Sequence, residues 1–96
     1  MVLLREVIGT QLRTTRKEQG ATLRDISVRA NVALGYLSEI ERGQKEPSSE
    51  LLSSICSALE ISISSLMRDV TAEALRIENQ VRPIQSSRAT ASTKAA

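Results

Sequence analysis

The stretch TLRDISVRANVALGYLSEIERG, from Thr22 to Gly43, constrains the fold most, because its apolar spacing and its breaks describe two short helices meeting at a sharp turn. Leu23, Ile26 and Ala30 fall at i, i+3 and i+7, one face of a first helix. Thr22 is placed to accept from the following amides as N-cap, and Asp25 suits the first turn. Asn31 tolerates the left-handed conformation that the turn needs. Val32, Leu37 and Ile40 resume an inward-facing pattern, and Gly43 stops the second helix as its C′ residue. The segment predicts a helix-turn-helix.

That pattern leaves Leu34, Gly35, Tyr36, Ser38, Glu39 and Arg42 on the other faces of the second helix. A helix N-terminus presented to solvent can enter a major groove and set its first turn against base edges, which makes double-stranded DNA the candidate partner. Two amphipathic helices and a turn also occur in plain helical cores, so spacing alone leaves both readings open. For DNA, the roles divide by chemistry. Leu34 can contact thymine methyls, and Gly35 lets the backbone approach closely. Ser38 and Glu39 lie one turn further along, where Glu39 could accept from cytosine N4. Tyr36, Arg42, Gln44 and Lys45, with Thr22 and Arg24 at the start of the preceding helix, are placed to bind phosphates. A core role for Tyr36 and a solvated charge at Glu39 are the alternatives.

The rest of the chain must supply a core for these two helices, and 96 residues have room for one small domain and a tail. Tyr36 is the one aromatic residue, so a 41% hydrophobic content drawn from Leu, Ile, Val and Ala predicts an aliphatic, all-α core. A helix is expected over residues 4–19 with Val7, Ile8 and Leu12 inward. Val2, Leu3 and Leu4 either cap the core or touch a partner. Ser48 caps a helix over about 49–59 that buries Leu51, Leu52, Ile55 and Leu59. Ser62 caps a fifth helix carrying Ile63, Leu66, Met67 and Val70. Beyond it, 71–81 continues the helical pattern with no obvious core surface left to cover. We therefore expect a DNA-binding domain over 1–68, an additional C-terminal helix over 69–82 and a disordered tail over 83–96, which is too polar to offset chain entropy.

Leu66, Val70, Ala74, Ile77 and Val81 form an apolar stripe running past that domain. Burying it against a two-fold copy predicts a homodimer. Folding back onto the same subunit, contact with another protein, and a share for Val2, Leu3 and Leu4 are the rivals. The tail ends in Ala95-Ala96, which resembles degradation signals read by Clp-type proteases; a plain unstructured end is the other reading.

Charge excludes little, because 13 basic residues nearly balance 11 acidic ones for a net +2. With no His, a single Cys, no glycine-rich phosphate loop, no metal-ligand cluster and no Ser paired with a base, an enzyme, a metal site and a cofactor are not expected. Cys56 reads as a small helix residue, with a redox switch as the alternative, although no basic neighbour in the local sequence lowers its pKa. No signal peptide or long apolar run is apparent, which predicts a cytoplasmic protein without a membrane partner.

Residues 8–67, IGTQLRTTRKEQGATLRDISVRANVALGYLSEIERGQKEPSSELLSSICSALEISISSLM, resemble the lambda-repressor-like, or Cro/C1 (XRE), helix-turn-helix family. The motifs are Leu12 and Arg16, Gly20, Thr22-Leu23, the run Tyr36 to Gly43, and Pro47-Ser48. Within that family, GYLSEIERGQKEPSSELLSSIC is similar to the clp-gene regulator (ClgR) group of actinobacteria. The resemblance implies a five-helix DNA-binding domain in a transcriptional regulator, largely an activator of protease and stress genes, with RNA polymerase as a further partner. It also implies a partly buried salt bridge between Arg16 and Glu41, tying the first helix to the end of the third. Ala33 departs from the pattern, standing where the family has a Ser or Thr N-cap. A protein-interaction module that kept the fold, such as an antitoxin or adaptor, and a general architectural DNA binder are the competing classes.

Overall fold

The computed structural model describes residues 1–81, in which five helices are joined by turns that side chains and glycines lock from both ends. Helix α1 spans Leu4–Glu18, carries Glu6 in its first turn and Arg16 and Lys17 in its last, and so opposes its own dipole at both ends. It stops at Gly20, whose φ of +71° lets its N–H reach the Lys17 carbonyl while Ala21 N–H reaches that of Arg16.

Helix α2, Leu23–Ala30, opens on the Thr22 cap. Asp25 N–H donates to Thr22 Oγ1 at 3.0 Å and Thr22 N–H donates to Asp25 Oδ2 at 2.9 Å, a reciprocal capping box. Asn31 then adopts φ +56°, as its residue type predicts. The turn that follows is closed twice, because Val32 N–H donates to the Ser27 carbonyl at 3.0 Å and Ser27 Oγ donates to the Val32 carbonyl at 2.5 Å. Ser27 is buried, so this hydroxyl bond satisfies a polar group that would otherwise cost about 1–3 kcal/mol.

Helix α3, Leu34–Glu41, has no side-chain cap at Ala33. Its far end is firmer: Gly43 N–H donates to the Ile40 carbonyl and Gln44 N–H to that of Glu39, a complete Schellman closure. Ser48 caps α4, Ser49–Ala58, by accepting from Leu51 N–H at 3.1 Å. Ser62 caps α5, Ile63–Val81, by accepting from Ser65 N–H at 3.0 Å.

Leu12, Ile26, Leu37, Ile40, Ile55 and Leu66, drawn from all five helices, and Leu59, the C-cap of α4, form the fully buried centre. At about 1.5–3 kcal/mol for each side chain so buried, this aliphatic cluster is the main stabilising term. Helix α1 packs against α3 and α5, α2 against α3 and α4, and α4 against α5.

The C-terminal expectation needs correction in two respects. The fifth helix and the expected additional one are a single continuous helix, so a boundary at residue 68 falls inside α5. Neither Gly nor Pro interrupts residues 63–81, and nothing else breaks the backbone there. The stripe is also divided. Leu66 and Val70, 1% and 2% exposed, belong to the subunit's own core, because α5 lies back on α1; they are not a free dimer face. Ala74 and Ile77 are half-buried, with Ile77 packed against that core, while Leu75 is 53% exposed. The Val81 side chain and the tail over 82–96, with the Ala95-Ala96 reading, lie outside the described residues.

Candidate nucleic-acid interface

The side chains singled out for DNA lie on α3, the loop after it and the start of α2. Leu34, Gly35, Tyr36, Arg42, Gln44 and Lys45 are exposed, and Ser38 and Glu39 half-buried. Helical spacing lines Leu34, Ser38 and Arg42 along one row and Gly35 with Glu39 along the next. Thr22 and Arg24 are exposed at the head of α2, with the Thr22 oxygen engaged by its own cap. Tyr36 sits outside the core and lines a shallow cleft with Asn31, Ser48, Glu50 and Leu51.

Two features fix the presentation of this surface. A Cβ added at Gly35 would meet nothing within 4 Å, so the missing side chain answers no packing need inside the chain and leaves bare backbone facing outward. The Arg42 guanidinium is held at both amino groups: Nη1 donates to Ser38 Oγ at 2.7 Å and Nη2 to Gln44 Oε1 at 3.3 Å.

Behind the surface, α1 holds α3 at three places. Arg16 pairs with Glu41, Nε to Oε2 at 2.8 Å and Nη2 to Oε1 at 3.0 Å, as the family resemblance implies. The Arg5 Nε–H donates to the Gly43 carbonyl at 3.1 Å. Gly9 is where the helices nearly touch: a Cβ there would collide with the Ile40 carbonyl oxygen and come within 2.8 Å of that of Glu41. Neither Arg5 nor Gly9 emerged from the sequence reading. A glycine in mid-helix, which costs about 0.5–1 kcal/mol against alanine, is the one signal that could have exposed Gly9.

Cys56 is buried, and loss of solvent pushes its thiol above the usual 9.0, which keeps it protonated and inert. No single described helix is long and apolar enough to cross a membrane.

The helix-turn-helix family description matches residues 12–66, more than half the chain and the whole span from α2 through α4. The chain belongs to the Cro/C1-type (XRE) helix-turn-helix family. Over 91 residues this family member is 53% identical to the transcriptional regulator ClgR of Mycobacterium tuberculosis strain H37Rv, covering 95% of this chain and 81% of that one. Its fold matches the crystal structure of the clp gene regulator ClgR from Corynebacterium glutamicum with a TM-score of 0.77 at 43% identity, covering 90% of this chain and 95% of the other. A TM-score of 0.73 at 25% identity relates it to the restriction-modification controller protein C.Esp1396I, solved as a tetramer on its natural 35 base-pair operator; 78% of this chain and 99% of that one are covered. This helix-turn-helix protein is a transcriptional regulator of the ClgR type with a DNA-binding domain, a non-enzymatic class.

Proposed function

We propose that the chain binds a two-fold operator as a homodimer and activates protease and stress genes. The observation that carries the DNA reading is the row Leu34, Ser38, Arg42 beside the bare backbone of Gly35, all clear of the core on a helix that α1 clamps from behind. In this reading Leu34, Gly35, Ser38 and Glu39 face bases, while Tyr36, Arg42, Gln44, Lys45, Thr22 and Arg24 face phosphates. The likeness to the clp gene regulator ClgR of C. glutamicum supports clp genes as targets, and activation of them would recruit RNA polymerase. Such work on the chromosome would take place in the cytoplasm.

One recognition helix covers only a few base pairs, which favours two copies on half-sites about 34 Å apart. The surface available for pairing is the exposed side of α5 around Leu75. On another side of α5 the N-terminal lead-in contributes Met1, Val2 and Leu3 to a groove shared with Ile77, so the lead-in and the Ile77 end of the stripe adjoin. In vitro transcription from a clp promoter of the host should rise when the protein is added. An unchanged or reduced transcript would remove the activator role while leaving operator binding to be decided by direct titration.

A further inference from the structure

The Ser38–Arg42–Gln44 chain on the recognition helix carries more than its separate members. A serine hydroxyl is ordinarily ambiguous in a groove, since it donates through O–H and accepts through its lone pairs and so suits acceptor and donor base edges alike. Ser38 is not in that position. Arg42, a group with N–H donors only and a permanent charge, donates into its oxygen at 2.7 Å. That bond occupies a lone pair, turns the hydroxyl hydrogen away from the guanidinium, and polarises O–H so that it donates more strongly.

The arrangement is held from both sides. Ser38 and Arg42 are one helical turn apart, and the second amino group of Arg42 donates to Gln44 Oε1 at 3.3 Å. Gln44 is itself positioned, because its backbone N–H closes the end of α3 on the Glu39 carbonyl at 2.9 Å. Glu39, three residues before Arg42, takes no part: the ion pairs among the described residues are Arg16–Glu41 and Arg76–Glu73. Its carboxylate remains an acceptor beside a serine that has become a donor.

We propose that Arg42, acting through Ser38, sets a base preference: the serine donates outward, and at the half-site position that Ser38 faces the protein selects a base with a major-groove acceptor, a purine N7 or thymine O4, over cytosine. Cytosine, whose major-groove edge offers the N4 donor, is disfavoured there. Arg42 is thus a positioning residue for recognition as well as a phosphate ligand. The inference rests on the reading of α3 as the groove-entering helix.

The test is selection of bound duplexes from random DNA by the full chain, by Ser38→Ala and by Arg42→Met, with thermal melts confirming that each exposed variant folds. The wild type should deplete cytosine at one position of the half-site in favour of bases with an acceptor edge. Ser38→Ala should flatten that position, and Arg42→Met should flatten the same one while keeping the other preferences. Replacing the selected base by an analogue without that acceptor, the 7-deaza form of a purine or 5-methyl-2-pyrimidinone for thymine, should weaken wild-type binding about fivefold, the scale of one hydrogen bond, and leave both variants unaffected. A preference at the Ser38 position that survives Arg42→Met, or a wild-type preference for cytosine there, overturns the proposal. Enrichment of no sequence by the wild type would instead overturn the reading beneath it.

Discussion

Arg16 grips Glu41 across 25 residues of sequence through two side-by-side hydrogen bonds, and its remaining amino group donates to the Ala21 carbonyl at 3.0 Å. Both side chains are mostly withdrawn from water, 12% and 7% exposed, so the pair is not one of the surface bridges that contribute little. It fixes the C-terminal end of α3 against α1 and with it the pose of the row Leu34, Ser38 and Arg42. Arg16→Met leaves the Glu41 carboxylate buried without its partner and should cost about 3–5 kcal/mol in urea denaturation. Adding Glu41→Leu should recover much of that loss; a single variant as stable as wild type would show the pair to be idle.

Gly9 and Gly35 should behave oppositely on substitution by alanine. At Gly9 the new Cβ strikes the carbonyl oxygens of Ile40 and Glu41, forcing α1 and α3 apart, and overpacking of this kind costs about 1–3 kcal/mol. At Gly35 the Cβ enters open space inside a helix, so Gly35→Ala should stabilise the fold by about 0.5–1 kcal/mol while weakening operator binding. Thermal melts and fluorescence anisotropy on the same samples separate the two effects. A Gly35→Ala protein that binds DNA as wild type does would remove Gly35 from the interface.

Much of this architecture is legible in the sequence because local chemistry and tertiary packing agree there. Thr22 with Asp25, Asn31, Ser48, Ser62 and Gly43 each demand a particular backbone geometry, and the fold gives it to them. What escaped was set by contacts between distant residues. The periodicity of α5 shows an apolar face but not what covers it, so the stripe predicts an interface at Leu66 and Val70, whereas α5 packs on α1 and α4 and both residues are buried within the subunit. The close approach at Gly9 and the Arg5 bond to the Gly43 carbonyl depend on how α1 crosses α3, which no local pattern encodes. The Arg16–Glu41 pair came from family resemblance, since its separation in sequence has no periodic meaning.

The capping box at Thr22 gives α2 an acid-sensitive end. Its backbone bond to Thr22, then the side-chain bond, holds the Asp25 carboxyl below its usual 3.8. A carboxyl with a depressed folded value stabilises above its unfolded value, and the contribution fades as pH falls through the lower folded one. Asp25→Asn should therefore melt below wild type at neutral pH, and the difference should close in the acid range below 3.8. Equal melting temperatures at pH 7 would mean that the box contributes nothing.

Pairing through α5 can be separated from folding by choosing the right residue. Val70→Asp places a charge in the core and should unfold the domain, whereas Leu75→Asp alters an exposed position and should give a folded monomer. Sedimentation at tens of micromolar decides it. A Leu75→Asp chain that remains dimeric would move the interface elsewhere.

The central claim, that paired α3 helices confer sequence-specific DNA binding, is tested most directly by determining the duplex length and sequence that the full chain protects after selection from random DNA. The account predicts two inverted copies of one half-site with centres about 34 Å apart, one per subunit. Protection of a single unpaired site, or equal affinity for unrelated duplexes, would contradict it.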